Sequence, residues 1–266
     1  MPHADLGERR VYYEEHGSGD PVLLVNGLGA DHTAWVLQTE YLRNSFRVVV
    51  FDNPGVGRTE GPRGPYTTAL FADVAVSLLR HLGLERAHVV GASMGGLIAQ
   101  QIAVRHPAAV RSLAIHCPWW RADPYTSALV RSWQTIARSA GMPVLLRQIW
   151  LWVFTPRFYE DRPETFVELA RQAAEDPRAQ TVEAFCDQAE ACLAHAALEE
   201  IAEIDVPTLI AVGDTDILTP PAHARALHER IRGSVLHVWP EMGHAPFWEI
   251  PEAFNRLNRD FLEAHG

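Results

Sequence analysis

The sequence predicts an α/β fold: a mostly parallel, doubly wound sheet with helices on both faces and one helical insertion. Three observations carry that expectation. Short apolar runs alternate with amphipathic stretches along most of the chain. The alternation breaks once, over residues 118–203, where no convincing strand occurs. A glycine-flanked serine sits at one strand-to-helix junction.

Taken in order, Val11 and Tyr13 alternate with polar neighbours, and residues 17–21 (GSGDP) make a turn. These read as a first hairpin. Residues 22–25 (VLLV) and 46–51 (FRVVVF) are continuous apolar runs, as expected of strands buried on both faces. Leu70, Val74, Leu78 and Leu82 recur every four residues, joined by Phe71, Ala75 and Leu79, which predicts an amphipathic helix stopped by Gly83. A strand over 88–91, a helix over 94–106 ended by Pro107, and a strand over 110–115 follow. After the interruption come a strand at 208–212, a helix near 222–231, a strand at 235–239 and a last helix from about Pro251. Residues 1–117 and 204–266 are thus expected to form one catalytic core. Residues 118–203, punctuated by Gly141-Met142-Pro143, Thr155-Pro156 and Asp176-Pro177, are expected to form a helical cap over the carboxyl ends of the strands.

Composition narrows the function classes. The 266 residues carry 23 Lys and Arg against 33 Asp and Glu, a formal charge of −10. That balance argues against nucleic acid or an anionic membrane as partner, because both need clustered cations. The apolar share of 47% supports a sizeable core. No apolar run approaches the roughly 18 residues of a membrane span, and the first eight residues are too polar for a signal peptide. A cytoplasmic protein is expected. Cys117, Cys186 and Cys192 make no CxxC pair, and neither HExxH nor an EF-hand loop occurs, so no metal and no other cofactor is expected. Self-association stays open. Five of the eight tryptophans (Trp119, Trp120, Trp133, Trp150, Trp152) fall early in the insertion.

The chemistry centres on Gly91-Ala92-Ser93-Met94-Gly95. An apolar strand before it and a helix after it present Ser93 on a sharp turn, and the helix start offers the Met94 N–H to a developing oxyanion. A nucleophilic serine needs a base, and the base needs an orienting carboxylate. His244 follows the last strand and Asp216 the strand before it, so both are expected at the same sheet edge. Asp214 competes with Asp216, but it directly follows Gly213, where a turn-forming Asp is common for backbone reasons. His81, His106, His223 and His228 read as solvated helix residues, His116 as one that could line the pocket because it ends a strand near the insertion, and His32 as a lesser candidate. The second oxyanion donor is expected from residues 26–31 (NGLGAD), where Gly27 and Gly29 let the Leu28 N–H turn inward.

These residues resemble the α/β-hydrolase superfamily over essentially the whole chain. The matching pieces are the loop of Asn26 to Gly29, residues 51–58 (FDNPGVGR), the Ser93 elbow, the Asp216 loop and Gly243-His244. The resemblance implies a Ser93–Asp216–His244 triad with Leu28 and Met94 as the oxyanion hole. Asn26 replaces the usual His, and residues 26–31 followed by Trp35 look like the β-ketoadipate enol-lactonase branch; Gly141-Met142 and residues 152–156 (WVFTP) are similar to that branch's cap. An enol-lactone substrate is dicarboxylic and implies a basic pocket. Here Asn26, Gly27, Trp119, Trp120, Trp133, Trp150, Trp152 and Phe154 are expected to line the pocket, with Arg121, Arg131, Arg147 and Arg157 interleaved. The leading expectation is a cofactor-free serine hydrolase acting on a carboxylic ester or lactone. A perhydrolase or haloperoxidase, a C–C bond hydrolase, and a small-molecule receptor with an idle triad remain alternatives, because function lives in the pocket.

Overall fold

A computed structural model describes residues 2–197 and 199–266. Its eight strands are β1 (His3–Leu6), β2 (Arg9–His16), β3 (Asp20–Val25), β4 (Phe46–Phe51), β5 (Ala87–Ala92), β6 (Val110–His116), β7 (Thr208–Gly213) and β8 (Val235–Trp239). They form one sheet in the order β1-β2-β4-β3-β5-β6-β7-β8. The pairs β1–β2 and β2–β4 are antiparallel, and every later pair is parallel.

The expected first hairpin is corrected here. β2 does turn into β3 through Gly17 to Gly19, but β4 inserts between them, and β2 pairs instead with β1 and β4. The physical reason is burial. β4 is apolar on both faces and is covered on both, whereas β2 keeps exposed and half-buried positions suited to the sheet's margin. Each valine of β4 left uncovered would forfeit roughly 1.5–3 kcal/mol.

Helices α1 (Val36–Leu42) and α2 (Thr68–His81) flank β4, and α3 (Met94–Arg105) follows β5. Between β6 and β7 lie α4 (Pro124–Ala140), α5 (Met142–Val153), α6 (Pro156–Asp161), α7 (Pro163–Glu175) and α8 (Val182–Leu193). The chain closes with α9 (Pro221–Arg230), α10 (Pro246–Glu249) and α11 (Pro251–Glu263). Side chains of β3 alternate between two cores: Leu23 and Val25 pack toward α2 and α3, while Val22 and Leu24 pack toward α1 and α11. That alternation explains the unbroken apolar runs, since both faces of the sheet are covered. Among the described residues of 118–203 the backbone makes five α-helices, a short 3-10 helix (Glu200–Glu203) and no strand beyond an isolated bridge from Arg121 to Ala196.

Candidate active site

The strands place the chemistry at their carboxyl ends. β5 ends at Ala92, and Ser93 adopts φ 56° and ψ −124° before α3 starts at Met94. Such a backbone is costly for a non-glycine residue and is held by its surroundings. The Ser93 N–H donates to the His116 carbonyl of β6 (3.0 Å), and the Ser93 carbonyl accepts from Gly96 N–H (2.8 Å). Flanking glycines make the turn feasible: a Cβ on Gly91 would lie 2.2 Å from the Gly95 carbonyl oxygen, and one on Gly95 would lie 2.0 Å from that of Val25. Met94 is the first residue of α3, where a backbone N–H has no partner within the helix.

β3 leads into the loop of Asn26 to Ala30. Gly27 lies against Ser93, with its ideal Cβ position 3.4 Å from Ser93 Cβ. The Gly29 N–H donates to Gln188 Oε1 of α8 (3.2 Å), and Gln188 Nε2 donates to the Pro54 carbonyl (2.9 Å). Asn26 Nδ2 donates to the Phe51 carbonyl (2.6 Å), so Asn26 fixes the loop to β4. The Leu28 backbone is thereby held from both sides.

β7 and β8 carry the titratable pair. Asp216 and His244 are each 3% exposed, and His244 Nδ1–H donates to Asp216 Oδ2 over 2.8 Å. Asp214, by contrast, is exposed. Asp216 Oδ1 accepts from the backbone N–H of Leu218 (2.9 Å) and Thr219 (2.8 Å), and Oδ2 from Thr219 Oγ1–H (2.7 Å). Burial pushes Asp216 up, but the charge and hydrogen bond of His244 and the Thr219 donors outweigh it, and the carboxyl lies below its ordinary value. Cys117, also in a left-handed backbone (φ 50°), brings its sulfur within 4.8 Å of the Asp216 and His244 ligand atoms. Burial pushes its thiol up, so it stays protonated. A second such cluster is Asp31, His32 and Asp52, where His32 Nδ1 lies 2.7 Å from Asp52 Oδ1. In both clusters the histidine Nδ1 is engaged by a carboxylate.

Ser93 and His244 open onto one cavity of about 260 Å³. Asn26, Gly27 and Leu28 line it, and so do Trp133, Trp150 and Phe154 from the insertion. Three expected pocket residues do not. Trp119 is 3% exposed and packs in the core beside α3, where its carbonyl accepts from Gln100 Nε2. Trp120 packs against the core and carries the guanidinium groups of Arg121 and Arg230 over its ring. Trp152 sits two residues from Trp150, roughly 200° around the helix, and packs toward α4 and α8 instead. Sequence reasoning also missed Trp35, Phe247 and Trp248, which supply aromatic walls from the core. The signal for the last two was their position, three and four residues after His244.

The other histidines are placed apart from the cavity. His116 is fully buried, not pocket-lining; its Nε2 meets Asn258 Oδ1 (2.9 Å), and burial pulls its pKa down to about 4. His223, expected to be solvated, is 9% exposed and faces Asp123 (3.4 Å).

Residues 20–251 match the α/β hydrolase fold family. The chain belongs to it. A relative named RutD carbamate hydrolase, from Azorhizobium caulinodans, is 32% identical over 97% of this chain and 96% of its own length. The 3-oxoadipate enol-lactonase 2 of Acinetobacter baylyi is 29% identical over 91% of this chain and 89% of its own. Among solved structures, an enol-lactonase from Burkholderia xenovorans superposes with a TM-score of 0.90 at 27% identity, over 98% of this chain and 100% of that one. The similarity to the enol-lactonase branch therefore holds in sequence and in fold, and the chain is a hydrolase by family. No helix of the described residues is long and apolar enough to cross a membrane.

Proposed function

We propose that this chain is a cofactor-free serine hydrolase for neutral, apolar esters or lactones. The observation that carries the proposal is the cavity lining. Ser93 and His244 open onto it, and its walls are Trp35, Trp133, Trp150, Phe154, Phe247 and Trp248 with aliphatic neighbours. The 23 Lys-plus-Arg residues of the chain are all arginines, and among the described residues no arginine lines this cavity. Arg131 faces Glu190 (3.7 Å), Arg157 faces Asp161 (3.5 Å), and Arg121 stacks on Trp120. Arg147 lines a separate surface groove, and the outer groove that continues from the cavity mouth holds Arg171 and Arg178 already beside Glu168 and Asp176. A dicarboxylate would enter a low-dielectric aromatic site without a counter-charge, which is strongly unfavourable. The relatives' names point to carbamate and enol-lactone substrates; the lining of this cavity favours an uncharged one.

In this reading His244 Nε2 takes the proton of Ser93 Oγ as Oγ bonds to the carbonyl carbon. The N–H groups of Leu28 and Met94 hold the resulting oxyanion. Collapse breaks the C–O bond to the leaving group, which takes the proton from His244. Water then repeats the sequence in reverse and releases the acid, while Asp216 keeps the Nδ1–H tautomer and supports the imidazolium. Residues 118–203 act as the cap that supplies Trp133, Trp150 and Phe154 to those walls.

The test is a panel of neutral aryl esters, neutral lactones and acidic lactones, run with the wild-type chain and Ser93→Ala. The expected result is turnover of neutral substrates well above acidic ones, lost by about 10⁴-fold or more in Ser93→Ala. Preference for the acidic lactone, or turnover that survives the substitution, would overturn the proposal.

A further inference from the structure

Thr219 stands where the acid and the base meet. Its backbone N–H donates to Asp216 Oδ1 (2.8 Å), and its Oγ1–H donates to Asp216 Oδ2 (2.7 Å). The same Oγ1 lies 3.2 Å from His244 Nδ1. Asp216 Oδ2 and His244 Nδ1 are 2.8 Å apart, so three atoms close a triangle. An ionised carboxylate has no proton to offer, so the hydrogen between Thr219 and Asp216 is the threonine's. The lone pairs of Oγ1 are then left for the Nδ1–H.

We propose that Thr219 is a positioning residue for His244, its hydroxyl serving beside Asp216 as a second acceptor for the Nδ1–H. Two acceptors at different angles restrict rotation of the imidazole ring, and both require the proton on Nδ1. That leaves Nε2 as the basic nitrogen that opens onto the Ser93 cavity. The loop itself does not need the hydroxyl. The backbone N–H groups of Leu218 and Thr219 already tie the loop to Oδ1 over 2.9 and 2.8 Å. Burying a further hydroxyl is costly unless it finds partners, and Thr219 is 0% exposed. Its β-branched side chain holds the hydroxyl in a restricted rotamer. Cys117 approaches the pair from the end of β6, and the charge of Asp216 acts on His223 of α9; the described hydrogen bonds at Nδ1 are those to Asp216 and Thr219.

This inference rests on Ser93, Asp216 and His244 acting as proposed above, and the test separates the two. Thr219→Val keeps the volume and removes the hydroxyl; Thr219→Ser keeps the hydroxyl. The full chain of each is assayed on p-nitrophenyl acetate, with active sites counted by a fluorophosphonate probe. The low-field proton resonance of His244 Nδ1–H is recorded in parallel. The expected result for Thr219→Val is a kcat per titrated site lower by about tenfold or more, with KM within about twofold. Thr219→Ser should stay within about threefold of wild type. The low-field line should move in the valine variant and stay in place in the serine variant. Wild-type kcat per site with an unmoved line in Thr219→Val would overturn the proposal, as would equal losses in both variants, which would mark the methyl rather than the hydroxyl. Should the valine variant fail to fold, Thr219→Ala carries the same expectations. A wild-type chain that neither labels nor hydrolyses would refute the serine-hydrolase proposal alone, because the proton resonance still reads the contact at Nδ1.

Discussion

At the residue scale, two aspartates two positions apart in one loop have opposite fates. Asp216 is buried against His244 and Thr219, while Asp214 points to solvent. Their difference follows from the loop geometry, in which Asp216 Oδ1 is seized by the N–H groups of Leu218 and Thr219. Asp216→Asn is expected to lower kcat by about 10⁴-fold, because an amide cannot hold the Nδ1–H tautomer. Asp214→Asn should stay within about twofold of wild type. Steady-state kinetics on a neutral ester checks both; a large loss in the Asp214 variant would reverse the assignment. Preference for Asp216 was legible in the sequence only through Gly213, a backbone argument. The decisive contact spans 28 residues in sequence and needed the fold.

At the element scale, the helix that secures the expected oxyanion loop comes from far along the chain. Gln188 of α8 bonds to Gly29 and to Pro54, and so links the insertion to two loops of the core. Further ties join the insertion to His244 and the helix after it: His244 N–H donates to the Val153 carbonyl (3.1 Å), and Thr155 donates to Glu249 through its N–H (2.9 Å) and its hydroxyl (2.5 Å). Gln188→Leu removes both amide contacts at nearly constant volume. Its expected effect is a fall in kcat/KM of about tenfold, as Leu28 loses its support, and a loss of stability of about 1–3 kcal/mol from the unpaired backbone groups. Kinetics and urea unfolding measure the two effects separately; unchanged kinetics would mean that the loop holds itself. No pattern in the sequence announces Gln188, since a glutamine on a helix is ordinary. The Ser93 turn is the reverse case: glycines at 91 and 95 are visible in the sequence, and the fold supplies the reason. Gly95→Ala places a methyl on the Val25 carbonyl, so little soluble protein is expected, as a side-by-side expression trial would show.

At the scale of the whole molecule, the tryptophans divide between packing and pocket. Trp119→Ala is expected to cost about 3–5 kcal/mol in urea unfolding while leaving substrate preference unchanged, because the residue fills the core beside α3. Trp150→Ala should cost less stability, being only partly buried, and raise KM several-fold for aryl esters as an aromatic wall is lost. A specificity change in the first variant, or none in the second, would contradict this division. A separate global effect concerns acid. Burial first, and for His88 also the charge of Arg111, pulls His88, His116 and His195 down to about 4 each. A histidine whose folded pKa lies below its unfolded value near 6.5 binds its proton more readily once unfolded. The stability held above pH about 6.5 is therefore expected to erode as pH falls toward about 4, and to level off below as far as these groups are concerned. Urea midpoints across that range check the sign; a flat midpoint would show that the three groups titrate alike in both states.

The sequence by itself determined the alternation of strands and helices, the interruption at 118–203, and the candidate residues Ser93, Asp216 and His244. These are local signals: apolar periodicity, glycines at a tight turn, and a carboxylate and an imidazole each just past a strand. Only the tertiary structure decided strand order, which placed β4 between β2 and β3 because a strand apolar on both faces needs cover on both. It also decided which aromatic residues face Ser93. Trp119, Trp120 and Trp152 turn away while Trp35, Phe247 and Trp248 turn in, and this depends on helix phase and on packing between segments some two hundred residues apart. A one-dimensional pattern records that a residue is apolar; the direction it faces is set by what packs against it.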